Sequence, residues 1–242
     1  MAVTVAVAAV SVASASQAAT FATFTQVDSN PNVLWSNPGN TTGGSFGSLS
    51  GASLGAAHVY FSFLDPALAA AVSNVPADFN LVSSVPLGNP AINFGVLTQG
   101  ALQGSFSFTY TGLPDLIVGA THFHTGANLL SGVFANGFIS GIGSAGSAFA
   151  ATASGSVISF TSAFKSFSGS VQRDFAINMT SITPLLSATP GKALKTFKAS
   201  AGGAFSTKAV PEPSTWAIMI TGFGMIGLAA RRRRKLGSGA SA

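Results

Sequence analysis

Two histidines separated by one residue, His122 and His124, are the best candidates for metal chemistry in this chain. On a β-strand both imidazoles would point to the same face, a spacing that can present two nitrogen ligands to one metal ion. Asp115 or His58 could complete the set, although nothing local in the sequence places either residue nearby. Paired histidines also line ordinary strand surfaces, so we predict no bound metal or other cofactor.

Hydrolytic chemistry has little support in the sequence. The stretches 43–47 and 51–55 match the Gly-x-Ser-x-Gly pattern of a nucleophile elbow, but neither precedes a helical pattern, which an elbow needs to expose its serine. Glycoside hydrolysis needs paired carboxylates, and residues 20–209 contain Asp at isolated positions and no Glu. We therefore predict that the protein is not an enzyme. A carbohydrate-active or metal-dependent enzyme is the alternative.

The charge distribution argues against a nucleic-acid partner. Only 7% of the residues are charged, against roughly 25% in typical soluble proteins. The net charge is +5, but much of it comes from one basic run near the C-terminus, 231–235. The rest of the chain therefore offers no basic face for phosphates. Because the chain has no cysteine, disulfide frameworks, thiol nucleophiles and cysteine-bound metals are excluded.

The body of the chain has the pattern of β-strands. Short runs of alternating apolar and polar residues are separated by Gly, Ser, Asn and Pro, and in one of them Phe106, Phe108 and Tyr110 should share a buried face. We predict a mainly β fold, with a single antiparallel β-sandwich or jelly-roll-like domain at 19–198 and a linker at 199–210.

Two local patterns predict features within this domain. Asn136-Gly137, between short apolar pairs, is a strong hairpin signal because a type I′ turn needs positive φ at both central residues. Asp65 followed by Pro66 and several alanines predicts a helix of one or two turns, with Asp65 as its N-cap.

Both ends of the chain have features of an exported protein. The apolar start and the small residues after it predict a signal peptide at 1–18, although the first basic residue is Lys165 and an Ala/Val-rich strand is the alternative. Residues 213–230 carry no charge and would span about 27 Å as a helix. We predict a transmembrane helix at about 214–230 and a disordered end at 236–242. A membrane stop follows the helix on its cytoplasmic side: Arg231, Arg232, Arg233, Arg234 and Lys235.

The region 211–235 combines unlike features in a fixed order. They are an acidic Pro-Glu-Pro turn, a Trp-Ala pair, a Gly-containing apolar span and the basic run; the sorting residues are Pro211, Glu212, Pro213, Trp216 and Ala217. This tail resembles the PEP-CTERM sorting domain in its PEPxxWA variant. The resemblance implies a bacterial envelope protein that is held in the inner membrane and processed by an exosortase. Members of the family are associated with exopolysaccharide and biofilm.

We therefore expect an exported envelope or extracellular-matrix protein. Its ectodomain lies outside the cytoplasm and reaches the cell surface or the medium after processing. The expected partners are the exosortase, the membrane and exopolysaccharide, and self-association is a further expectation. The low charge and the Ser/Thr/Asn-rich strand faces suit contacts with polysaccharide or with neighbouring copies. Lys192, Lys195 and Lys198 could add a weak cationic stripe toward anionic polysaccharide or lipid headgroups.

Overall fold

The computed structural model of the protein describes residues 19–144, 146–152, 156, 158–167 and 170–209, with the backbone alone at 170–172, 208 and 209. These residues form fifteen strands and one short helix. In chain order the elements are β1 Ala19–Gln26, β2 Val33–Ser36, β3 Gly44–Ser50, β4 Ser53–Leu54, β5 Ala57–Phe63, α1 Pro66–Ala69, β6 Val75–Val85, β7 Ile92–Asn93, β8 Leu97–Tyr110, β9 Leu116–Val118, β10 Thr121–Phe123, β11 Asn128–Gly141, β12 Ala148–Thr152, β13 Ile158–Thr161, β14 Ser170–Thr183 and β15 Phe197–Ala209.

Thirteen of the described strands form one antiparallel sheet, and β9 and β10 form a separate hairpin. The order of the main sheet is β1-β5-β6-β3-β2-β15-β14-β12-β11-β8-β7, with β13 beside β11 and β4 beside β3. Additional pairings join β1 to β15 and β6 to β8, so the sheet closes on itself.

Long strands make this closure possible because each can pair with two short strands along one edge. One edge of β6 pairs with β8, while the other pairs with β5 at 75–79 and with β3 at 82–85. In the same way β15 pairs with β2 at 197–199 and with β1 at 203–207. The mainly β, antiparallel class predicted from the sequence is confirmed. The structure differs from the predicted sandwich in that these shared edges join the strands into one sheet instead of two.

Phenylalanine rings dominate the interior of the sheet. Phe108 is fully buried and stacks on Phe79 with a centroid separation of 4.8 Å. Phe24 and Phe205 pack on the same ring at 5.0 and 5.5 Å. The predicted alternation in β8 is confirmed, since its aromatic residues Phe106, Phe108 and Tyr110 are all buried. Burial of so much aromatic surface is the main stabilising contribution in a chain without disulfides.

The predicted linker at 199–210 is wrong for residues 199–209, which form most of β15. Its small residues suggested a flexible segment, but they are required by close packing. A Cβ at Gly203 would lie 2.5 Å from the Phe24 ring and 2.7 Å from the Ala176 carbonyl oxygen. Ala199 and Ala201 are almost fully buried. The small side chains therefore let this strand lie against the aromatic core.

The predicted hairpin at Asn136-Gly137 is also wrong, because both residues lie inside β11. Asn136 has the expected positive φ of 58°. The pairing with β8 shifts register between Phe134 and Gly137, so the left-handed residue marks a β-bulge in a continuous strand. The short helix is confirmed as α1, and the Asp65 side chain accepts a hydrogen bond from the Ala67 backbone N–H.

The sheet has two ends that matter for function. At the first, which we call the terminal end, Ala19 pairs with Thr207, and Leu64 beside α1 donates to the Phe21 carbonyl. At the opposite end lie the loop 86–96 and the residues after β11, whose last residue, Gly141, pairs with Leu97. No helix among the described residues is long and apolar enough to cross a membrane. The predicted signal peptide, the tail at 211–235 with its transmembrane helix, and the end at 236–242 lie outside the described residues.

Candidate functional site

The sorting motif follows the folded sheet almost directly. Strand β15 runs to Ala209, and its residues up to Thr207 pair with β1. In the sequence only Val210 separates this strand from Pro211. The sorting residues and the basic run themselves lie outside the described residues. The last strand therefore ends two residues before Pro211, so a cut at the Pro-Glu-Pro residues would leave the strand whole.

Asp115 and His58 are the residues predicted to complete a metal site with His122 and His124. The structure places only Asp115 next to one of these two histidines. The β9–β10 hairpin places Asp115 beside His124, with Oδ2 2.8 Å from Nδ1. His122 lies in β10 opposite Ile117 and is exposed. His58 lies elsewhere, on β5, where its Nδ1 is 2.7 Å from Oδ1 of Asp78.

These pairs are two-residue contacts on the surface. Both histidine side chains are more than three-quarters exposed. Across the described part of the chain, no group of three or more His, Cys, Asp or Glu side chains could hold a metal ion. The arrangement can form ion pairs when the histidines are protonated, and it has no enclosed reaction space.

The two serine patterns lie on strands. Ser45 is in β3, and Ser53 is in β4, across a tight turn from β3. The first helix after them, α1, begins at Pro66, beyond the whole of β5. Neither serine therefore sits at the strand-to-helix turn that an elbow requires.

A partly buried ion pair lies at the terminal end. Lys165 Nζ donates to Asp65 Oδ2, linking the loop after β13 to the N-cap of α1. The hydrogen bond from Lys165, followed by that from the Ala67 N–H, lowers the pKa of Asp65. Nearby, burial raises the pKa of Tyr110, with a smaller contribution from the Asp115 charge, and the Tyr110 hydroxyl donates to the Pro114 carbonyl at 2.7 Å. These contacts fix loops, and Lys165 also lines an open surface hollow formed by residues 160–167.

The most extended polar feature is a row of side chains across four strands, which we call the hydroxyl face. Asn80 pairs with Ser107, Ser107 with Ser131, and Ser131 with Thr161. The Ser131 and Thr161 hydroxyl oxygens are 2.7 Å apart, and Asn128 Nδ2 donates to Ser131 at 3.0 Å. The strand alternation predicted from the sequence explains why these side chains share the outer side.

A second row of side chains lies beside the hydroxyl face on the same strands. The two rows together line a shallow groove of about 340 Å³. Val82 and Val133 alternate there with serines and are 64% and 60% exposed. None of the residues that line the groove is charged. Hydroxyl and amide groups can both donate and accept hydrogen bonds, and the valines offer apolar area. The groove can therefore contact a neutral, hydroxyl-rich ligand.

Sequence reasoning missed the buried amides that hold the loops. Asn32, Asn37 and Gln99 are 5%, 6% and 0% exposed. They stand in Pro-Asn, Ser-Asn and Thr-Gln contexts that are typical of turns or exposed strand positions. No local pattern identifies them, because each also bonds to a backbone group 95 to 169 residues away in the sequence.

Comparison with known proteins gives one match. Residues 209–234 match the model of the PEP-CTERM protein-sorting motif. No curated protein and no solved structure matches the chain. The motif covers the sorting residues from Pro211 to Ala217 and extends to Arg234. It implies an exported protein that interacts with an exosortase and is anchored at the membrane or displayed at the cell surface.

Proposed function

Because the tail carries a PEP-CTERM sorting motif, we propose that this protein is a non-catalytic envelope or extracellular-matrix component that contacts exopolysaccharide in biofilm. Residues 1–18 direct export, and a helix at about 214–230 holds the chain in the inner membrane until an exosortase cuts near Pro211-Glu212-Pro213. Because the last strand ends at Ala209, this cut releases the sheet with all its strands.

The observation that supports polysaccharide contact is the hydroxyl face. Its side chains form a register-matched row across β6, β8, β11 and β13, and the groove around it lacks charge. A neutral polysaccharide offers repeated hydroxyls that can exchange hydrogen bonds with Asn, Ser and Thr. Each contact is weak, so many copies of the protein along one polymer give useful retention.

Retention on the exopolysaccharide of the producing cell, measured by affinity electrophoresis of the processed protein, tests this proposal. Ser131→Ala with Thr161→Val removes two hydroxyls of the row, and Thr25→Val removes an exposed hydroxyl on β1 as the matched control. We expect the double variant to bind about thirtyfold more weakly, since each of the two lost hydrogen bonds contributes about 1 kcal/mol net. The control should bind like the unaltered protein. Equal retention of all three proteins, or none of the unaltered protein, would contradict the proposal.

A further inference from the structure

The end of the sheet opposite the terminal end carries exposed apolar side chains on neighbouring loops. We call this set the apolar tip: Leu87, Ile92, Phe94, Val96 and Ile142. Phe94 is 90% exposed and Leu87 is 74% exposed. The other three are between 43% and 53% exposed. Ile142 belongs to this end because it follows Gly141, the partner of Leu97.

Buried amides lie next to the exposed apolar side chains of the tip, although Asn93 in the same loop is exposed. Gln99 is fully buried, and its amide nitrogen donates to the Asn89 carbonyl at 2.8 Å while its amide oxygen accepts from the Leu194 N–H. The buried Asn37 amide binds the Leu194 carbonyl at 3.0 Å. A soluble loop normally shows the reverse arrangement, so an apolar cluster on a loop framework tied by buried amides indicates a contact surface.

Phe94 is held outward by its own turn. Gly95 adopts a φ of 84°, and its N–H donates to the Asn93 side chain at 3.1 Å. The Phe94 N–H donates to the Val96 carbonyl across the same turn. The turn therefore presents the ring at a projecting position, which suits insertion into a soft surface.

The charges around the tip are positive. The Lys192 carbonyl accepts a hydrogen bond from the Ala91 N–H, which places Lys192 beside the loop, and the Lys195 N–H bonds to Ser187 in the same connection between β14 and β15. The Asp side chains whose contacts fix them near an end of the sheet, Asp65 and Asp115, lie at the terminal end. The loop 86–96 itself contains no acidic residue.

We propose that the apolar tip inserts into the surface of a bilayer that contains anionic lipids. Leu87, Ile92 and Phe94 enter the headgroup and upper acyl region, and Lys192 and Lys195 lie against the anionic headgroups. This contact is separate from the tail. Strand β8 alone, with 14 residues, runs about 45 Å from the tip toward the terminal end, where Ala19 pairs with Thr207. The tip therefore supplies a membrane contact other than the one proposed for the tail.

The test uses the full chain reconstituted by its tail into neutral phosphatidylcholine vesicles. Flotation of the protein with these vesicles first establishes that the tail is inserted. A protein that does not float contradicts the anchoring given under the proposed function, which is a separate claim from insertion of the apolar tip. Labelled acceptor vesicles of phosphatidylglycerol and phosphatidylcholine are then added, and tethering is measured by co-sedimentation. We expect tethering to the anionic vesicles, none to purely neutral acceptors, and loss of tethering at high salt.

Variants locate the contact. Phe94→Ser should reduce tethering about tenfold, and Lys192→Glu with Lys195→Glu should reduce it by at least about as much. Ile92→Ser should weaken it, whereas the matched Ile117→Ser, at 54% exposure against 53% for Ile92, should not, since Ile117 lies on β9 near the terminal end. Circular dichroism checks that each variant is folded. Absence of tethering, equal loss in the Ile117 variant, or self-association that Phe94→Ser abolishes without any vesicle binding would overturn the proposal.

Discussion

Asn32 illustrates how single buried amides hold strands that are distant in the sequence. Its Nδ2 donates to the Ala201 carbonyl at 2.9 Å, and its Oδ1 accepts from the Ala201 N–H at 2.6 Å. The Asn32 side chain thus makes the two backbone hydrogen bonds with Ala201 that a neighbouring strand would otherwise make with β15. Leaving both backbone groups unpaired in a buried position would be costly, since each unsatisfied group costs about 1–3 kcal/mol.

We therefore expect Asn32→Ala to lower the free energy of unfolding by about 2 kcal/mol or more. The measurement is urea unfolding followed by tryptophan fluorescence, because Trp35 is fully buried near this site. Asn30→Ala is the matched control, since Asn30 is exposed two residues away. A similar change in both variants would show that the Asn32 bridge contributes nothing specific.

The second prediction at the residue scale concerns pH. The pKa of Asp65 is lowered in the folded state from its ordinary 3.8 by Lys165 and then by the Ala67 N–H. A carboxyl with a depressed folded pKa contributes stability above its unfolded pKa, and this contribution is lost as the pH falls through the folded pKa. Because Asn is also a good N-cap, Asp65→Asn removes the charge and keeps the cap.

Asp65→Asn should therefore cost about 1 kcal/mol at neutral pH, and the difference from the unaltered protein should shrink as the pH falls below 3.8. Thermal unfolding between neutral and acidic pH measures this. In a Lys165→Met background the effect of Asp65→Asn should be much smaller. A difference that does not change with pH, or one that is unchanged in that background, would contradict the assigned ion pair.

At the scale of elements, the strands with strict alternation could be predicted from the sequence and those made of small residues could not. The buried face of β8 follows from the period of two, and α1 follows from Asp65-Pro66. Residues 199–209 were mistaken for a linker because Gly, Ala and Ser are equally typical of flexible segments and of close strand packing. The Asn136-Gly137 pattern correctly predicts a positive φ at Asn136, but it predicts a hairpin where the structure has a bulge. Both elements use a positive φ, so the pattern cannot distinguish them.

The position of β15 in the sheet leads to a prediction about truncation. A chain that ends after Ala209 keeps every described strand, whereas one that ends after Lys198 loses the pairing of β15 with β1. We expect the longer product to resist limited proteolysis and to unfold cooperatively, and the shorter one to be degraded. Equal resistance would mean that residues 199–209 are a dispensable linker after all.

At the scale of the whole molecule, the candidate sites differ in how far the sequence predicts them. The sorting motif is a local signal and could be identified from the residues alone. The hydroxyl face could be anticipated only as polar strand faces, since the register that aligns Asn80, Ser107 and Ser131 depends on long-range pairing. The apolar tip could not be predicted, because Phe94 resembles a core residue until the fold shows it exposed.

The chain termini give the molecule a direction. Ala19 and Thr207 pair at the terminal end, so the residues that follow the predicted signal peptide and those that precede the sorting motif leave the sheet together. The first described strand therefore begins, and the last one ends, at the terminal end of the sheet, and the apolar tip lies at the other end.

The most direct test of the central claim is the intact mass and location of the full chain, expressed in one host with the cognate exosortase and in the same host without it. The account predicts a product that lacks the residues beyond the Pro211-Glu212-Pro213 region, found at the cell surface or in the medium, only when the enzyme is present. An uncut chain in the inner membrane of both hosts would contradict sorting and leave the tail as an anchor alone.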